Sequence, residues 1–321
     1  MMKKQVLVTG GAGFIGSYVI EELLKKNYHI CILDNLSKNI TRYKNTSQIT
    51  FAKVDLTQKE KARKYFQAFD QCIHLAAKIG GIGYFHKYPA TILSDNNKLY
   101  STVFELAAEY KYKRLIYISS SMVFESAMKF PSREKDVLTT PPPISAYGVS
   151  KLIGEYYCKA FWDEYRLPYT IIRPFNAYGI NELPTEEVGY SHVIPDLIRK
   201  ILLGQYPLEI LGNGKQTRCF THARDIAKAV VMALESKDAV NEDFNIGTDK
   251  ETNILALAKK IYGLCQEDKP FKYTLVKSFP YDVKRRVPNV QKAKKILDWK
   301  PEISLDESLP ELITWVKEKL S

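Results

Sequence analysis

The sequence has no long apolar run, few cysteines and no dense block of charge, and each absence removes a class of protein. No stretch approaches the roughly 20 apolar residues of a membrane-spanning helix, so no membrane partner is expected. The first residues run straight into a strand pattern, and a signal peptide is not expected either. The five cysteines (Cys31, Cys72, Cys158, Cys219, Cys265) are scattered, odd in number and without metal-ligand spacing. They read as reduced thiols of a cytoplasmic protein, with neither a disulfide frame nor a metal site. The net charge of +11 arises from 47 Lys and Arg against 36 Asp and Glu. Its densest cluster, Lys284-Arg285-Arg286, holds only three residues, and the other bases are interleaved with acids. That pattern fits a solvated basic surface better than a nucleic-acid site, while local clusters suit a small anionic substrate. Internal repeats and low-complexity tracts are also missing. At 321 residues the chain can bury a large core and form one or two domains.

What is present is concentrated first in residues 4–19, KQVLVTGGAGFIGSYV. Val6, Leu7 and Val8 form a short apolar run suited to a buried strand, and a helix is predicted to begin near Phe14. Between them stand Gly11-x-Gly13-x-x-Gly16 and, in wider spacing, Gly10-x-x-Gly13-x-x-Gly16. The first glycine permits a tight turn, the second lets backbone approach a pyrophosphate, and the third lets helix pack on strand. Unpaired N–H groups at the helix start, at Phe14 and Ile15, favour the phosphates. A second strand, residues 29–33, ends in Asp34, which lies about 20 residues beyond the loop, where a ribose-binding acid belongs. A carboxylate there accepts from the ribose hydroxyls and repels a 2′-phosphate, which points to NAD rather than NADP. The neighbouring Asn35 is placed in the same site.

The alternation of strand and helix then continues. Residues 35–48 are polar and read as a loop. Strands are predicted at 49–55, 70–77, 114–119 and 169–173, the last stopped by Pro174, and helices at 57–68, 91–111 and 146–165. Residues 78–83 read as a loop. This order predicts an α/β fold, a Rossmann-type doubly wound parallel sheet. Beyond Pro174 the alternation fails. Helices are expected at 193–204, 223–236, 253–265 and 305–320, with short strands at 208–211 and 244–246. The expected division is a cofactor domain of residues 1–174 plus about 215–240, and a smaller mixed α/β substrate domain of 175–214 plus about 241–321. The substrate would lie between them, outside the carboxyl ends of the strands.

Candidate chemistry sits at Tyr147-Gly148-Val149-Ser150-Lys151. A phenol and an ammonium four residues apart share a helix face, and a cation nearby lowers a tyrosine pKa. Such a tyrosine can act as a general base on a hydroxyl. Ser119-Ser120-Ser121 closes the preceding strand, where a hydroxyl can hold the reacting oxygen or simply shape the strand-end turn.

The ordered set TGGAGFIG, Asp34, HLAAK, SSSMVF, YGVSK, RPFNAYG, RCFTHARDIAKA and KAKKILDWKP resembles the extended short-chain dehydrogenase/reductases across nearly the whole chain. More narrowly it resembles the NAD-dependent epimerase/dehydratase family acting on nucleotide sugars. The resemblance implies a catalytic triad of Ser120, Tyr147 and Lys151. It places Asp55 and Leu56 against the adenine, and Leu75, Ala76, Ala77 and Lys78 beside the pyrophosphate and ribose. It assigns Asn176, Arg218 and one of Arg285 and Arg286 to the phosphates of the sugar nucleotide. Gly81, Ser121, Met122 and His192 fall in its substrate loops.

The departures from that family narrow the reaction. Sugar 4,6-dehydratases carry Asp and Glu directly after the catalytic threonine, where this chain has Ser121 and Met122. AAKIGGIGYF and SHVIP resemble GDP-fucose synthase and GDP-mannose 3,5-epimerase, whose catalytic cysteine is replaced by Met122, a thioether that carries no proton. His192 matches the histidine that pairs with that cysteine. Phe124 and Glu125 replace the family's usual tyrosine and glycine. The reading is NAD-dependent oxidation at C4 of a nucleotide sugar, as a 4-dehydrogenase or 4-epimerase. A GDP-linked manno-type hexose or heptose is favoured over a UDP-sugar. The alternatives are a 3- or 5-epimerase using His192, or a non-catalytic NAD-binding sensor or scaffold. The helices near 92–110 and 146–166 resemble those that form a homodimer in this family.

Overall fold

Short runs of β-branched and apolar residues, each followed by a helix, make the centre of the molecule a parallel sheet. The computed structural model describes residues 4–38, 43–187, 189–265 and 269–320. The first half supplies β1 (Gln5–Thr9), β2 (His29–Asp34), β3 (Ile49–Lys53), β4 (Gln71–His74), β5 (Arg114–Ile118) and β6 (Tyr169–Pro174). They are linked through α1 (Phe14–Lys25), α2 (Lys59–Phe66), α3 (Ile82–Lys87), α4 (Pro89–Glu109) and α5 (Ala146–Tyr165). The second half contains β7 (Ala177–Tyr178), α6 (Val193–Leu202), β8 (Leu208–Leu211), β9 (Thr217–Arg218), β10 (Thr221–His222) and α7 (Ala223–Glu235). It continues with β11 (Glu242–Ile246), β12 (Thr252–Asn253), α8 (Ile254–Cys265), β13 (Tyr273–Val276), α9 (Gln291–Leu297) and α10 (Leu305–Leu320).

Seven strands pair in the order β11-β6-β5-β4-β1-β2-β3, every pair parallel. This is the doubly wound α/β sheet expected from the alternation. In register, Val8 lies between Ile32 on one side and Ile73 on the other. Helices cover both faces, which is why Val6, Leu7 and Val8 are all fully buried. On one face Val19, Ile20 and Leu23 of α1 meet Ile226, Val230 and Ala233 of α7. On the other, Tyr100, Val103 and Phe104 of α4 meet Cys158 of α5. The direction of winding reverses between β1 and β4, so the loops after those strands part and open a crevice.

A separate core joins α6, α8 and α10 through Ile194, Ile198, Leu257, Ile261, Leu309 and Leu312. Here β8 pairs with β13, parallel and far away in sequence. Two features depart from the expected division. The sheet runs on to Ile246, because β11 pairs with β6 along its length, so it crosses the boundary placed near residue 240. And the loop expected at 78–83 ends early, since residues 82 and 83 already belong to a helix, α3. Of the polar stretch 35–48, residues 39–42 lie outside the described residues. No helix among the described residues is long and apolar enough to cross a membrane. All five cysteines are free thiols, four of them buried, and no cluster of metal-ligating side chains occurs among the described residues.

Candidate active site

The crevice is a cavity of about 1090 Å³ lined by the loops after β1, β4 and β5, the start of α5 and segments of the second half. Pockets for one small ligand run to about 300–1,000 Å³, so this one lies at the upper end of that range. Its phosphate end is the glycine turn. Gly10 has φ +73°, and a Cβ there would lie 2.5 Å from the backbone nitrogen of Ala76. A Cβ on Gly16 would lie 2.3 Å from the carbonyl oxygen of Gly10. Gly13 begins α1 without a side-chain cap, which leaves the first N–H groups of the helix, by Phe14 and Ile15, for an anion in the cavity.

Asp34 closes this end. Its Oδ2 accepts from the N–H of Ala12 at 3.1 Å and its Oδ1 from that of Leu36 at 2.9 Å. Burial raises its pKa above the ordinary carboxylate value, and these two backbone donors oppose that rise. Asn35, Asp55, Leu56, Leu75, Ala76, Ala77 and Lys78 line the same cavity. Asp55 fixes its turn by accepting from the N–H of Thr57 at 2.9 Å. The glycine cradle, the uncapped helix start and the carboxylate fit NAD.

Asn96 of α4, absent from the sequence expectations, holds this wall. Fully buried, it accepts from the N–H of Lys78 at 2.7 Å and donates to Ser150 Oγ at 3.0 Å, joining the loop after β4 to α5. Only its partners reveal its role; an asparagine inside a helix carries no signal of its own.

Ser120, Tyr147 and Lys151 line the same crevice. Ser120 is extended and opens a short 3-10 turn, its Oγ accepting from the N–H of Met122 at 3.2 Å. Tyr147 is buried, stacked on Phe85 of α3 with ring centres 4.6 Å apart and planes at 10°. Lys151 Nζ donates to the carbonyl of Ile118 at 2.8 Å and lies 5.9 Å from the centre of the Tyr147 ring. Burial brings the Lys151 pKa down to about 7, with Glu155 opposing.

The expectation that this cation lowers the tyrosine pKa is corrected. Burial raises the Tyr147 phenol well above its ordinary value, and the opposition comes from a hydrogen bond with Ser120 and the charge of Arg286. The stacking phenyl of Phe85 and the Met122 side chain supply the burial, and both come from outside α5.

The substrate side separates the expected residues. Asn176, at φ +42°, donates to the carbonyl of Cys219 at 3.2 Å and lines the cavity. Arg218 lines it too, ion-paired to Asp282 at 3.0 Å. Arg286 reaches Ser121 Oγ at 3.3 Å and Met122 Sδ at 2.8 Å. Arg285 does not join them. It is half exposed and grips Glu251 at 2.6 Å, outside the residues that line the cavity. Adjacent positions in this extended segment point opposite ways, and Glu251 claims the outward one.

Gly81 and His192 line the cavity but are engaged with protein. The Gly81 N–H donates to the carbonyl of Tyr190 at 2.8 Å, and a Cβ there would lie 2.3 Å from the carbonyl oxygen of Gly189. His192 Nδ1 pairs with Glu182, whose charge raises the imidazole pKa. Glu125, in place of the family's usual glycine, accepts from the N–H groups of Ile144 and Ser145 at 2.9 and 2.8 Å and fixes the start of α5.

The profile of the NAD dependent epimerase/dehydratase family matches residues 6–247. A putative UDP-glucose 4-epimerase of Methanocaldococcus jannaschii is 33% identical over 97% of this chain and 98% of its own. A UDP-N-acetyl-alpha-D-glucosaminuronate decarboxylase of Bacillus cytotoxicus is 33% identical over 99% of each. The solved UDP-glucose 4-epimerase of Thermotoga maritima, with UDP-glucose, superposes with a TM-score of 0.87 at 30% identity, covering 99% of this chain and 100% of that one. The glycine cradle, the buried tyrosine and lysine and these likenesses agree: the chain is an enzyme of the NAD-dependent epimerase/dehydratase family.

Proposed function

We propose that this enzyme oxidises the C4 hydroxyl of a UDP-linked sugar and restores it with the opposite configuration, a 4-epimerisation. One observation carries the reading: Ser120, Tyr147 and Lys151 converge beside the dinucleotide cradle, while Ser121 and Met122 leave no acid or thiol next to Ser120. Tyr147, as the phenolate that the Ser120 hydroxyl and the Arg286 charge favour against burial, removes the hydroxyl proton, and Ser120 holds the sugar oxygen. Lys151, with a pKa near neutrality, changes charge at little cost as the proton moves. Bound in the cradle, NAD supplies the acceptor for the C4 hydride. Asn176 and Arg218 hold the phosphates of the sugar nucleotide.

The preference for a GDP-linked sugar gives way. It came from the segments around Gly81 and His192, and these engage Tyr190 and Glu182, so their sequence reports how two loops close on each other. Support for uridine comes from the three relatives, each of which names a UDP-sugar. The assignment of the nucleotide grip to residues 175–214 and the segment after β11 belongs to the same proposal.

Incubation with UDP-glucose, UDP-glucuronate and GDP-mannose, followed by product mass and sugar analysis, tests the reaction. C4 epimers are expected, with Tyr147→Phe slower by about 10²–10⁴-fold. A product lighter by one water rejects it. The His192–Glu182 pair keeps a 3- or 5-epimerase as second reading, and solvent deuterium at C3 or C5 would select it. We also propose a homodimer through α4 and α5, whose outer surface carries the exposed Tyr156 and Tyr165. A monomer by light scattering at micromolar concentration ends that proposal.

A further inference from the structure

Helix α3 is only six residues long, too short to stand without packing. The second half of the chain holds it. The N–H groups of Gly81 and Gly83 donate to the carbonyls of Tyr190 and Gly189, each at 2.8 Å. Lys87 pairs with Glu187 at 3.2 Å. The His86 ring lies parallel to that of Phe279, with ring centres 5.7 Å apart and planes at 7°. Between these anchors α3 carries Phe85, whose ring is stacked on Tyr147 and also lines the cavity. A centre-to-centre distance of 4.6 Å with planes at 10° is close, nearly parallel contact. An element fastened to the second half thus lies flat against the phenol ring of α5.

The other apolar side chains grouped with Tyr147 include Ile79, Ile92 and Met122, which offer no flat face. Phe85 is the one aromatic ring stacked on Tyr147 among the described residues. Proton transfer is sensitive to aim, and a displacement of about 1 Å costs a reaction roughly 10²-fold. We propose that Phe85 is a positioning residue for Tyr147: its ring fixes the plane in which the phenol oxygen meets the sugar hydroxyl, and it keeps water from that side. A phenyl ring has no hydrogen-bonding group to offer a sugar hydroxyl, so Phe85 acts through the tyrosine. Through α3 the hold runs on to Glu187, Gly189 and Tyr190, and the seating of the second half is thereby joined to the aim of the phenol. The inference rests on the proposal that Tyr147 moves the proton.

Kinetics with UDP-glucose, together with NMR of ring-labelled tyrosine in the full chain loaded with NAD, test it. The Tyr147→Phe spectrum identifies the Tyr147 signal. Phe85→Ala is expected to lower kcat about 10- to 100-fold while KM changes less than about threefold. Its Tyr147 should also ionise at lower pH than in the wild type, because water then reaches the phenol. Lys151 of α5, Tyr100 of α4 and Arg286, the groups that face the phenol or act on it by charge, all remain in this variant, so the shift belongs to the ring. Phe85→Tyr keeps the flat ring and should restore most of both properties. Phe85→Leu keeps apolar bulk without the flat face and should fall between; it decides the matter with Phe85→Tyr if the alanine variant does not fold. Unchanged kcat and unchanged ionisation in Phe85→Ala or Phe85→Leu overturn the inference. So does a raised KM at constant kcat, which would put Phe85 on the substrate instead. The NMR titration is read without sugar: a shift as expected in a protein that leaves UDP-glucose unaltered sinks the reaction and keeps the hold of Phe85 on Tyr147.

Discussion

Lys151 is 3% exposed, and its charge is carried only at a cost in folding free energy. Its native pKa is brought down to about 7, while an unfolded lysine titrates near 10.4. Between these values the unfolded chain binds more protons than the native one, so stability rises with pH across the window. Below about pH 7 both states are charged and the burial cost is felt in full; above the unfolded value it has vanished. Lys151→Met is expected to remove this slope in urea unfolding without nucleotide between pH 6 and 10. Its advantage over the wild type should be largest at pH 6, up to about 5 kcal/mol, and shrink as pH rises. An unchanged slope would show that Lys151 titrates normally. His192 shifts the other way, and Glu182→Gln should lower its NMR titration midpoint toward the ordinary histidine value. The pairing of Tyr147 with Lys151 was legible from their spacing. The direction of the tyrosine shift was not, because Phe85 and Met122, distant in sequence, decide its burial.

At the scale of elements, two glycines in helices separate close approach from intrinsic propensity. Gly16 of α1 meets backbone, so an added methyl forces the glycine turn open. Gly16→Ala is expected to cost about 1–3 kcal/mol in thermal unfolding and to weaken NAD binding. Gly263 of α8 is exposed, with nothing among the described residues within 4 Å of an added Cβ. Gly263→Ala should stabilise by about 0.5–1 kcal/mol through helix propensity. Equal effects at both positions would mean that the turn yields easily. The same contrast explains which elements could be read. The bounds of α5 follow from local chemistry: Ser145 accepts from the N–H of Gly148 at 3.1 Å to start it, and Arg166 turns left-handed to end it. Helix α3 has no such marks. Gly80, Gly81 and Gly83 read as a loop, and the N–H groups of Gly81 and Gly83 find their acceptors on Tyr190 and Gly189. Strand β13 likewise exists through its partner β8, far upstream.

Across the whole molecule, a buried charge network ties the catalytic helix to the far edge of the sheet. Arg173 of β6 is 1% exposed; it donates to Glu155 of α5 at 2.7 and 2.8 Å and pairs with Asp243 of β11 at 2.8 Å. Glu155 in turn accepts from Ser119 Oγ at 2.6 Å, one residue before Ser120. The sheet's seventh strand, which the expected domain boundary excluded, is thus locked to the element that carries Tyr147 and Lys151. A buried ion pair is weak evidence for net stability, but breaking it leaves an uncompensated charge. Arg173→Met is expected to cost about 3–5 kcal/mol in urea unfolding. Adding Glu155→Leu should recover much of that loss, because the stranded carboxylate leaves with its partner. A double variant whose loss equals the sum of the two single losses would show that the residues act independently, and the sheet edge would then have no electrostatic hold on the site.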